Sequence, residues 1–163
     1  MDYGQLEVEL ADLLTAKINE GVTDPRQQTI CVPLPEDEDA FDKPVIGRRV
    51  TIGFSEEIPD RTKSANYIGQ SLLVKFSVLL ECRRLRGEGG IYALAEKVKS
   101  ILIGYKPTDC GDLWHSNHQF VDDDRGIFKH VLEFQTTSLR AQDVDGAEVG
   151  ENNFTGLIIN EQL

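Results

Sequence analysis

Cysteine, methionine, tryptophan and basic residues are all scarce in this chain of 163 residues: three Cys, one Met, one Trp, and 17 Lys and Arg against 28 Asp and Glu. Cys31, Cys82 and Cys110 contain no CxxC pair and are odd in number, which gives no support to a disulfide framework or a zinc ribbon, so reduced thiols are expected. The net charge of -11 repels a nucleic-acid backbone wherever the negative surface faces it, which argues against tight DNA binding by the surface as a whole. No apolar run approaches the roughly 18 residues of a membrane span. The opening "MDYGQLEVEL" has neither the basic start nor the apolar stretch of a secretory signal, so the chain is expected to stay where it is made. What is present, 40% hydrophobic residues in a chain of this length, suffices for the core of one domain.

Hydrophobic periodicity divides the chain into elements. From Tyr3 to Asn19, Leu6, Leu10, Leu13, Leu14 and Ile18 recur at steps of three and four, the mark of an amphipathic helix, and Gly21 suits its end. "QTICVPLP" is short, β-rich and closed by two prolines, as an edge strand is. "EDEDAFDK" places five acids between Glu36 and Asp42, without the glycine and glutamate positions of a calcium loop, and reads as a solvated loop. "VIGRRVTIGF" aligns Val50, Ile52 and Phe54 on one strand face, and a long polar loop is expected from Ser55 to Gly69.

The clearest strand runs from Leu72 to Arg83. Its even positions Leu72, Val74, Phe76, Val78, Leu80 and Cys82 are all apolar, while Lys75, Ser77, Glu81 and Arg83 are polar. Leu73 and Leu79 interrupt the polar face, either as a surface for a partner or as ordinary exposed leucines. A second helix carries Ile91, Leu94, Ala95, Val98, Ile101 and Leu102 on one side and stops at Gly104. Two more strands, Leu113 to Val121 and Ile127 to Leu139, are joined by "DDDRG" and read as an antiparallel hairpin, with Phe128, His130, Leu132 and Phe134 sharing a face. The order predicts an α+β fold, a mostly antiparallel β-sheet covered by two α-helices, with residues 1–140 as one domain and 141–163 as a linker and C-terminal arm. The tail's "FTGLII" is apolar enough to pair with a neighbouring copy or to close its own sheet.

Chemistry is hard to find in this pattern. "LRGEGGIYAL" joins a strand to a helix through glycines, yet it lacks the lysine and hydroxyl of a P-loop. Position 92 is Tyr92 where a dinucleotide fingerprint needs its last glycine. Gly87, Gly89 and Gly90 are read as turning the chain, with Glu88 near a helix start that favours an acid. The histidines are His115, His118 and His130. On a regular strand His115 and His118, three apart, point to opposite faces and do not share one ion. No nucleophile motif is present, and Cys82 falls on an apolar strand face as an inert thiol. No catalytic, cofactor-binding or metal-ligating residue is assigned, and no cofactor is expected.

The stretches "LLVKFSVLLECRRLRGEGGIYALAEKVKSILIGYKP" and "CGDLWHSNHQFVDDDRGIFKHVLEFQTTSL" together resemble the small tail proteins of tailed bacteriophages, relatives of the tail terminators typified by minor tail protein U. The resemblance spans about residues 3 to 140 and is most specific from Leu72 to Thr137. It implies a structural virion protein of the tail-terminator fold, made in the host cytoplasm and carried in the tail or neck. Six copies would form a ring that caps the tail tube, and the sheath where a tail has one, and meets the head-tail connector or stopper. Genomic DNA would pass through without specific binding, and the acidity suits such a conduit. Two other classes stay open: a different neck or baseplate component of the same fold, and a metal-dependent enzyme using His115, His118 and the acids of "VDDD".

Overall fold

The computed structural model describes residues 2–37, 45, 47–60 and 69–141. Helix α1 spans Tyr3–Ile18, and the Asp2 side chain caps it by accepting the Gln5 N–H at 3.2 Å. Its buried residues are Leu6, Leu10, Ala11, Leu14 and Ile18, one stripe at helical spacing. A single 3₁₀ turn, Pro25–Gln27, leads into strand β1, Thr29–Pro33. The remaining strands are β2, Arg48–Pro59, β3, Gly69–Cys82, β4, Trp114–Asp124, and β5, Ile127–Ala141, with helix α2, Ile91–Leu102, between β3 and β4.

The strands form one sheet in the order β1-β2-β3-β5-β4. Every neighbouring pair is antiparallel except β1 with β2. The expected α+β architecture is therefore present, with β1 at one edge and β4 at the other. β3 and β5 pair without interruption from Gly69 opposite Ala141 to Cys82 opposite Phe128, so the strict alternation in "LLVKFSVLLEC" places all its even residues on the helix side. There Leu72, Val74, Phe76, Val78, Leu80, Leu132 and Phe134 pack with Leu10 and Leu14 of α1 and with Leu94 and Val98 of α2. Each is almost wholly removed from water, and each such side chain contributes roughly 1.5–3 kcal/mol.

Three boundaries differ from the sequence reading. β2 begins at Arg48, after Gly47 at φ +94°, and extends to Pro59, so strand structure occupies much of the expected polar loop from Ser55. A bulge at Ser55 carries the strand onward. The β4–β5 hairpin closes more tightly than "DDDRG" suggests. Asp122, Asp123 and Asp124 belong to β4, and the turn is Arg125 and Gly126, both at positive φ (51° and 76°), as a type I′ turn requires. The acidic run Glu36 to Asp42 and the arm from residue 142 onward lie wholly or largely outside the described residues.

Candidate functional site

The glycine-rich segment after β3 is a tight turn. Cys82 Sγ donates to the Gly89 carbonyl at 3.3 Å and accepts the Arg84 N–H at 3.4 Å, while Ile91 N–H returns to the Arg84 carbonyl at 2.8 Å. A Cβ at residue 90 would lie 2.6 Å from the Arg86 carbonyl oxygen, so only glycine lets the two backbones approach. α2 starts at Ile91 with Gly90 as its N-cap and no side-chain cap. Glu88 thus stands outside the helix, and the first turn has no acidic residue.

The histidines are arranged differently from the expectation. β4 carries two bulges, at Ser116 and at Val121, where one extra residue faces β5. The first resets the alternation between His115 and His118. His115 lies opposite Phe134 and His118 opposite Leu132, so both point to the helix side. His118 Nε2 and His130 Nδ1 are 2.9 Å apart, one ring donating to the other. Tyr92 of α2 and Phe120 of β4 each present an edge to His130, with ring centroids 5.7 Å away, and His115 packs edge-on against Phe134 at 5.4 Å. Burial pushes the pKa of both His118 and His130 below the usual imidazole value. The positive charge of Lys99 adds to the effect at His118. The pair is neutral near pH 7. His115 Nε2 and His130 Nε2 are buried without a hydrogen-bond partner.

Two glutamates of α1 tie that helix to the rest of the fold. Glu7 accepts the Phe54 N–H at 2.6 Å, and Glu9 accepts the Tyr105 hydroxyl at 2.7 Å and the Thr108 N–H. Burial alone would raise the Glu9 pKa, but these hydrogen bonds outweigh it and hold the carboxyl below its usual range. The same bond pushes Tyr105 up to about 12. Desolvation raises the Cys31 thiol to about 11 and raises Cys110 as well, which leaves both protonated and unreactive.

The second face of the sheet has a different chemistry. Arg49, Glu81, Lys129 and Asp122 stand opposite one another across β2, β3, β5 and β4, alternating in sign. Arg49 and Glu81 form an ion pair whose carboxylate is only 3% exposed. The adjoining row is Thr51, Leu79 and Val131, and farther along Lys75 bonds Glu56 at 2.7 Å. Leu73 and Leu79 are half-buried members of this face rather than isolated surface leucines. Among the described residues, both helices lie on the other side.

The family model described as Gp37 protein matches residues 24–152 of this chain. The chain belongs to the Gp37 protein family. Among solved structures it is similar to a chain from the virion of a native gene transfer agent particle, at 14% identity and a TM-score of 0.47, covering 80% of this chain and 98% of that one. No curated protein matches.

Within this family member the structure brings His118 and His130 together, sets His115 beside them on the same face, and leaves Asp122 on the opposite one. Among the described residues, no three His, Cys, Asp or Glu side chains converge on a point where an ion would sit. The alternating charge ladder is the feature that sequence reading passed over. Its signal lies in the odd residues of β3 and β5, and the pairing of Glu81 with Lys129 follows once those two strands are known to be neighbours.

Proposed function

We propose that this chain is a structural component of a phage-type virion and, within that class, a tail terminator without enzymatic activity. Six copies form a ring that ends the tail tube and presents a face to the head connector. The observation that carries this reading is the one-sided sheet. Among the described residues one face is sealed by α1 and α2, while the other combines the half-buried apolar residues Leu73, Leu79 and Val131 with alternating charges, the composition of a surface that packs against another protein. The resemblance over residues 3 to 140 and membership of the Gp37 family agree with it. The net charge of -11 suits a lumen through which DNA slides, because like charge prevents phosphate contacts. In this reading residues 141–163 are an arm whose "FTGLII" pairs with the next copy.

Electron microscopy of the purified protein, together with particles lacking it, tests the proposal. Rings of about six copies are expected, and the deficient particles should show tails of uncontrolled length and unjoined heads. A chain truncated at Gln142 should lose the ring while keeping its fold. A protein found at the baseplate, or one that is monomeric at all concentrations, overturns the terminator role.

A further inference from the structure

At the end of the sheet where β3 leaves for the glycine turn, the surface holds a cleft of about 510 Å³ lined by Arg26, Arg48, Arg83, Arg84 and Gly89. Four guanidiniums in one cleft are conspicuous in a chain of net charge -11, because setting them aside leaves 13 basic residues against 28 acids. Among the described residues none of the four pairs with a carboxylate. Arg48 donates one N–H to the Gln27 carbonyl at 3.0 Å and Arg83 one to the Val45 carbonyl at 3.1 Å, which leaves most of their five donors free. Asp24, the nearest carboxylate in sequence to Arg26, accepts the backbone N–H of that residue at 2.9 Å. The uncapped start of α2 lies beside Gly89, and its dipole adds the same sign of potential.

The geometry points to a binding site for a carboxylate-rich segment of a partner protein. Arginine forks match carboxylates two hydrogen bonds at a time, and the cleft is large enough for a few acidic side chains. A nucleic-acid backbone shares the charge but not the fit, since a long polyanion would run from the cleft onto a surface with more than twice as many acids as bases. The site stands apart from the ring reading and does not require it.

Fluorescence anisotropy with a labelled oligo-glutamate peptide tests the site, using the intact protein and the double variant Arg26→Glu/Arg84→Glu. Both residues are exposed and, among the described residues, neither side chain makes a hydrogen bond, so the fold is expected to persist, as circular dichroism would verify. The variant Lys17→Glu/Lys97→Glu, at exposed positions on α1 and α2, changes the net charge equally. The peptide should bind saturably, lose affinity at least tenfold in the arginine variant, a change of about 1.4 kcal/mol, and keep its affinity in the lysine variant. The assignment is overturned by absence of saturable binding, by equal weakening in both variants, or by a single-stranded DNA oligonucleotide that binds more tightly than the peptide.

Discussion

His118 and His130 share a hydrogen bond that only neutral or singly protonated rings can make, and burial lowers the proton affinity of both. Their folded pKa values lie below the ordinary 6.5 of the unfolded chain, so between those values the unfolded state binds more protons. Stability is thus complete above 6.5 and declines as the pH falls through it toward the folded values. Lys99 of α2 and the neighbouring His115 oppose protonation of His118, while Glu96 of α2 favours it. Thermal melts across this window should show a falling Tm, and His118→Phe, which removes one of the two rings, should flatten the slope. A wild-type Tm that does not change there contradicts the pairing. Glu9 has a linkage of the same sign for a different reason. Its depressed carboxyl pKa contributes stability above 4.5 that disappears only as the pH falls through the folded value, so it adds a separate loss at more acid pH.

At the scale of the element, β5 offers a sharp comparison between its two faces. Leu132 is completely buried between Val78 of β3 and His118 of β4. Leu132→Asp places an unpaired charge in the core, at a cost of several kcal/mol against a total stability of roughly 5–15, and should yield insoluble protein. Lys129, on the other face, stands between Glu81 and Asp122. Lys129→Glu sets like charges side by side across three strands and should cost about 0.2–1 kcal/mol per pair while the protein still folds, as denaturant titration of the soluble variant would measure. Equal solubility and stability of the two variants would contradict the register of β5.

For the whole molecule, cohesion comes from one core shared by both helices and the sheet, with hydrogen bonds such as Glu9 to Tyr105 joining parts distant in sequence. Removal of metal ions should therefore leave the Tm unchanged. His118 Nε2 and His130 Nδ1 are occupied by each other, and a structural ion would add greatly to folding stability. A Tm lowered several degrees by EDTA and restored by zinc would reverse that conclusion.

The helices, β3 and β5 were legible in the sequence because an uninterrupted period reports directly which side chains share a face: Leu6, Leu10 and Leu14 at helical steps, and Leu72 to Cys82 at steps of two. The same rule misplaced His115 and His118. An extra residue in β4 shifts every later side chain to the opposite face, and nothing in "WHSNHQ" marks Ser116 as the residue left over. Only the pairing with β5 decides that. The arginine cleft was likewise invisible, since Arg26, Arg48 and the pair Arg83 and Arg84 come from segments that meet only when the sheet brings the start of β2 beside the end of β3. Local periodicity is a property of the chain, whereas strand register and the meeting of distant side chains are set by the free energy of the assembled sheet.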